Sequence, residues 1–181
     1  FVAKGLFDSA IAEFSMPRHT VHIPHPILFE LDAAEVTALP ADTFQAAFFA
    51  EFEHPAIGHQ NATFAITPET FLAELAPART FCTLEDVESL RQAGLIRGGS
   101  IDSAVVFGPD GPVETTLRFA NEPARHKLLD LLGDLCLLSP SLEGIIMASR
   151  SGHRVHAAFV RQLQKELVTH EQLRSDSGIV A

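Results

Sequence analysis

The chain has 181 residues, 46% of them hydrophobic, which is enough for one well-cored domain or for one domain with a remnant of another. Its 13 basic residues stand against 23 acidic ones, a formal net charge of −10 that argues against general nucleic-acid binding, because such binding rests on many Lys and Arg contacts to phosphate. No apolar run reaches the roughly 18–20 residues of a membrane span, and two cysteines, Cys82 and Cys136, allow neither a disulfide framework nor an all-cysteine metal site. A soluble protein without an integral membrane segment, in a reducing cytoplasmic compartment, is expected.

The opening segment, Phe1 to Ala10, has neither the long apolar stretch nor the small-residue cleavage site of a secretory signal. It also lacks an initiator Met, which suggests truncation or processing at that end. Residues 2–13 read as the end of a helix, and a stretch punctuated by proline follows from Pro17 to Pro26. Residues 20–31 and 43–52 alternate as strands do, and 62–66 reads as another short strand. Thr67-Pro68-Glu69 combines an N-cap, a proline at the first helical position and an acid in the first turn, so a helix is expected to start there. A second start falls at Thr83, with Asp86 completing a capping-box pattern, and that helix should stop at Gly94. Residues 102–107 and 113–119 read as strands around the turn Gly108-Pro109-Asp110-Gly111. A helix begins near Glu122, a strand covers Gly144–Ala148, a last helix covers roughly 154–168, and Glu171–Ala181 reads as a solvated tail. Strands and helices mix without regular βαβ alternation. The class is α+β, a two-layer sheet-and-helix sandwich with helices on one face.

On a helical wheel, Leu128, Leu129, Leu131, Leu132 and Leu135 fall on one side of the helix that begins near Glu122. His126, Asp130 and Asp134 fall on the other, within an arc of about 80°, with Lys127 at its edge. An imidazole and a carboxylate four residues apart can reach one metal ion at about 2.0–2.2 Å. Spacing alone is weak evidence, because any amphipathic helix has a polar stripe and a catalytic zinc usually takes three protein ligands. His153, in Ser151-Gly152-His153, sits at a strand–helix junction, where it can point into a cleft, cap the helix or lie on the surface. Thr80, between Arg79 and Phe81, says nothing by itself. His19, His22 and His25 are three apart, so on a strand His22 would oppose the other two and a joint metal site is not expected.

Four segments in order resemble the second domain of the UDP-3-O-acyl-N-acetylglucosamine deacetylases of lipid A synthesis. They are Ala78-Arg79-Thr80-Phe81, Gly94 to Ser100, Asn121 to Asp134, and Ser151-Gly152-His153, with Phe52-Glu53-His54-Pro55-Ala56-Ile57 as an upstream landmark. The resemblance runs from about residue 45 to 165, and more faintly from residue 1. It implies that His126 and Asp130 are two of three Zn2+ ligands. It gives His153 the role of protonated histidine that stabilises the oxyanion and protonates the leaving amine, and Asp134 that of the carboxylate orienting it. Thr80 would polarise the scissile carbonyl, Phe81 would lie against the sugar, and Lys127 would reach the polar part of the substrate. A βαβ insert over about 80–107 would hold the acyl chain, lined by Val87, Ile96, Gly99, Ala104 and Val106. The division implied is residues 1–19 as a first-domain helix and linker and 20–181 as the second catalytic domain. A cytoplasmic enzyme of a Gram-negative-type bacterium is implied as well.

The chain departs from the family pattern in three places. The family's third zinc ligand, a first-domain His preceded by a general-base Glu, has no counterpart, since His54 and His59 belong to the second-domain landmark. The position where the family places a lysine on an early strand falls in the proline-rich stretch near Pro24, which weakens that substrate contact. Cys82 and Thr83 replace a small residue and an aromatic at the mouth of the acyl passage. Two readings follow: half of a zinc amidase that needs the first domain as its partner, or a catalytically inactive homologue or fragment serving as a binding module.

Overall fold

The computed structural model of the chain describes residues 20–92, 104–138 and 142–177. Five strands come first: β1 (Val21–His22), β2 (Ile27–Leu31), β3 (Ala34–Leu39), β4 (Phe44–Glu51) and β5 (His59–Ala65). A short helix, α1 (Pro68–Thr70), runs on into a π-helical turn over Phe71–Leu75. Then come β6 (Thr80–Thr83), α2 (Leu84–Gln92), β7 (Ala104–Gly108), β8 (Gly111–Pro112), α3 (Glu122–Leu135), β9 (Leu142–Ser149) and α4 (His153–Ser177).

The main sheet has the order β2-β3-β9-β4-β5, with β1 pairing parallel to the start of β9. β9 is central, antiparallel to β3 and parallel to β4. The register places Val36 beside Ala148, Ala38 and Ala46 beside Ile146, and Phe48 beside Ala148 and Ala62, so these residues share one face. All of them are buried. Leu128, Leu131 and Leu135 of α3 and Val155, Phe159 and Leu163 of α4 complete the same core. The heptad-like leucine spacing of α3 therefore does what an apolar stripe must do, and both helices lie on one face of the sheet. The fold is the expected α+β sandwich.

Several element boundaries differ from expectation. The strand read over 20–31 is broken into β1 and β2, because Pro24 and Pro26 cannot donate to a ladder. β3 was not read at all; Asp32, at φ 56°, turns the chain from β2 into it, a conformation that a short polar side chain tolerates. The strand read over 113–119 does not form. After the turn, Gly111–Pro112 pairs with β7, and the following segment is held irregular by Arg79, whose Nη1 donates to Thr115 Oγ1 and Nη2 to the Thr116 carbonyl. The last helix runs to Ser177, well past the expected end at 168 and into the segment read as a tail.

Both capping predictions correspond to local geometry. Thr67 Oγ1 accepts from Thr70 N at 3.2 Å while Thr70 Oγ1 accepts from Thr67 N at 2.9 Å. Thr83 Oγ1 accepts from Asp86 N at 3.1 Å while Asp86 Oδ2 accepts from Thr83 N at 2.9 Å. With β6 parallel to β7 and α2 between them, the second cap opens the helix of a small βαβ unit. Its expected stop at Gly94, the segment read as helix over 2–13, and the boundary between 19 and 20 lie outside the described residues.

Candidate active site

The polar stripe of α3 carries the site. His126 and Asp130 are each about four-fifths buried, with Nε2 of the imidazole 3.5 Å from Oδ1 of the carboxylate. His126 Nδ1 lies 3.2 Å from the Ala78 carbonyl, which can only accept, so Nδ1 donates there and Nε2 is the nitrogen turned toward Asp130. A backbone carbonyl fixing the far nitrogen of a histidine is the usual support of a metal ligand. Two ligands bonded at about 2.0–2.2 Å to one tetrahedral ion stand roughly 3.3–3.5 Å apart, so the donor pair fits such an ion without rearrangement. Lys127 Nζ donates to the other oxygen, Asp130 Oδ2, at 2.9 Å.

One turn further on, Asp134 meets two histidines from the start of α4. Its Oδ2 lies 2.8 Å from His153 Nδ1 and 2.8 Å from His156 Nδ1. Asp134, His153 and His156 form a possible metal-binding group among the described residues, since their ligand atoms all lie within 4.8 Å of one another. The two N–O separations of 2.8 Å match charge-assisted hydrogen bonds and are shorter than the edge of a metal tetrahedron. We therefore read this group as hydrogen-bonded. His156 is fully buried, and its Nε2 lies 2.8 Å from Ser151 Oγ. Burial pushes the His156 pKa below the ordinary histidine value, against the pull of the Asp134 hydrogen bond and charge, with Lys127 and His153 adding to the downward push.

Phe81 links the βαβ unit to this stripe. Its ring meets His126 edge-on with centroids 6.3 Å apart, and meets Phe52 at 5.2 Å and Phe107 at 6.3 Å in the same manner. The chain before Phe81 is pinned by a buried ion pair. Glu122 Oε1 accepts from Arg79 N at 3.0 Å and Nε at 2.9 Å, and Oε2 accepts from Arg79 Nη2 at 3.0 Å and Arg118 N at 2.7 Å. Burial raises the Glu122 pKa, and these hydrogen bonds with the Arg79 charge more than reverse it, leaving the carboxyl below its ordinary value. Thr80 thus stands exposed between an anchored arginine and an aromatic seated on His126.

Residues 2–165 match the model of the UDP-3-O-acyl N-acetylglycosamine deacetylase family. The chain belongs to this family. It is 44% identical over 165 residues to the UDP-3-O-acyl-N-acetylglucosamine deacetylase of Trichormus variabilis, covering 88% of this chain and 59% of that one. It is 39% identical to the deacetylase of the same name from Oleidesulfovibrio alaskensis, covering 93% of this chain and 54% of the relative. It is 35% identical to the bifunctional enzyme LpxC/FabZ of Chlorobaculum tepidum, covering 98% and 45%. The chain thus spans about half the length of the curated relatives it matches.

The site residues expected from the sequence separate into three groups. His126, Lys127, Asp130, Asp134 and His153 form one row across α3 and the start of α4, with Phe81 against its first member. Ala104 and Val106 register with Thr80 and Cys82, so these four share the face of the small sheet opposite Phe81, Val105 and Phe107. Ala104, Val106 and Val87 are half-buried. Ile96 and Gly99 lie outside the described residues. His156, Ser151 and the Arg79–Glu122 pair were not assigned roles from sequence. His156 was legible in principle, because it is three residues from His153 on a helix and flanked by the buried Val155 and Phe159. No helix among the described residues is long and apolar enough to cross a membrane.

Proposed function

We propose that this chain supplies the second-domain half of a zinc-dependent deacetylase, hydrolysing the N-acetyl group of a UDP-linked 3-O-acyl-glucosamine in lipid A synthesis. The observation that carries this reading is the ligand-ready pair His126 Nε2 and Asp130 Oδ1, 3.5 Å apart and continuous with the Asp134–His153 hydrogen bond. Residues 1–19 would belong to the first domain, and residues 20–181 to the second catalytic domain of a cytoplasmic enzyme. Zn2+ held by His126 and Asp130 would supply Lewis-acid polarisation and an activated water.

The chain's own residues account for the rest. Asp134 accepts from His153 Nδ1, which leaves Nε2 of that exposed ring free to hold a second proton and pass it to the leaving amine. The same cationic ring stabilises the oxyanion of the amide as water adds, and the products are acetate and the free amine. Thr80 donates its hydroxyl to the scissile carbonyl, Phe81 lies against the sugar, and Lys127 reaches the polar part of the substrate. The half-buried Val87, Ala104 and Val106 line the acyl passage.

Among the described residues, His126 and Asp130 gain no third protein ligand, and no glutamate stands beside them as a base. The isolated chain is therefore expected to bind zinc weakly and to release no acetate. The test is to load residues 1–181 with zinc and assay acetate release from the UDP-acyl-glucosamine, with and without a first domain supplied by a relative. Turnover only on addition supports the reading, and turnover by the chain alone, unaffected by His126→Ala, contradicts it.

A further inference from the structure

We propose that His156 is a positioning residue for His153, gripping Asp134 from the buried side so that one carboxylate oxygen fixes the tautomer of both rings. The inference deepens the reading of His153 as general acid and rests on it. Both imidazoles present Nδ1 to Asp134 Oδ2 at 2.8 Å, with ring centroids 6.3 Å apart and planes 79° to each other. The two are not equivalent. The His153 side chain is 70% exposed, that of Asp134 18%, and that of His156 0%. An exposed imidazole exchanging with water cannot hold a carboxylate in one rotamer, whereas a ring with no freedom to move can.

Three contacts immobilise His156. Asp134 Oδ2 takes Nδ1, Ser151 Oγ stands 2.8 Å from Nε2, and the buried Phe48 meets the ring edge-on at 6.3 Å. A carboxylate only accepts, so Nδ1 carries the single proton of the neutral ring and the Ser151 hydroxyl donates to the bare Nε2. Asp134 thereby selects the tautomer, because the opposite one would set a lone pair against a carboxylate, and the Ser151 hydroxyl, which can donate or accept, turns to match. Asp134, His153 and Lys127 are the charged groups that act on this ring, and burial keeps it neutral beside them. The order runs from Ser151 through His156 to Asp134 and ends on His153, whose Nε2 is left outward-facing. Free histidine places its neutral proton mainly on Nε2, so the hydrogen bond to Asp134 must hold the reverse tautomer.

The test uses nitrogen NMR on the full chain, which distinguishes a protonated ring nitrogen from a bare one without zinc or turnover. In the unaltered protein at neutral pH, His156 is expected as the neutral Nδ1–H form and His153 as mainly Nδ1–H when neutral. His156→Leu removes the donor to Asp134 and should move the His153 tautomer ratio about fivefold toward Nε2–H, the worth of one ordinary hydrogen bond. His156→Asn places an amide N–H where Nδ1 stood and should restore the ratio, which a purely space-filling role would not. If His156→Leu fails to fold, the unaltered protein and His156→Asn still decide the matter. An Nε2–H tautomer on His156, or a His153 ratio equally disturbed by Asn and Leu, overturns the proposal. Absence of acetate release in the reconstituted assay would overturn the deacetylase reading through a different observable, since the ring tautomers would remain as measured.

Discussion

At the scale of single residues, His156 ties chemistry to stability. Its folded pKa lies below the ordinary value because burial disfavours the charged ring more than Asp134 favours it. The unfolded chain therefore binds this proton more readily than the folded one. The stabilisation is complete above the unfolded value of about 6.5 and is lost as pH falls through the folded value. The urea midpoint should drop between about pH 7 and pH 5, and His156→Asn should flatten that segment of the curve. An unchanged slope in the variant would assign the dependence to another group. His153 makes a different prediction. In an enzyme complete with its first domain, His153→Ala should lower kcat by about 10²–10⁴-fold, the span of a general acid, while zinc content stays constant. Zinc lost in step with activity would make His153 a ligand instead.

At the scale of elements, the α3 stripe was legible because it needs only helical period: leucines at 128, 131, 132 and 135 turn inward, which leaves His126, Asp130 and Asp134 together. The caps at Thr67 and Thr83 were legible because a capping box is local chemistry. β3 and the segment after β8 were not, because their fates depend on distant partners. β3 exists by pairing with β9 more than a hundred residues later, and the 113–119 segment is bent by Arg79. The same arginine makes the element-scale prediction. Glu122→Gln leaves a buried guanidinium without its counter-charge and should cost about 3–5 kcal/mol, read by thermal or urea unfolding. Replacing both partners with apolar residues, Arg79→Met with Glu122→Leu, should not recover that loss, because the backbone N–H groups of Arg79 and Arg118 lose their Glu122 acceptor. Gly144 is a second constraint on β9: at φ 150°, an added Cβ would stand 2.5 Å from Ile23 Cγ1, so Gly144→Ala should destabilise by about 1–3 kcal/mol.

At the scale of the whole molecule, the sheet and two helices form a platform whose exposed chemistry lies along α3 and the first turn of α4. The platform offers two groups of metal-capable atoms one helical turn apart, and their geometries differ. His126 and Asp130 have ligand atoms 3.5 Å apart with the far nitrogen fixed by a carbonyl, whereas His153 and His156 each close on Asp134 Oδ2 at 2.8 Å. On the proposed function, metal belongs to the first group and proton handling to the second. The most direct test is zinc titration of the chain by calorimetry, run beside His126→Ala, Asp130→Asn, His153→Ala and His156→Asn. Weak one-site binding is expected, lost in the first two variants and retained in the last two. Binding that survives His126→Ala and disappears in His153→Ala would place the metal on the Asp134 group and overturn the assignment of His126 and Asp130 as ligands.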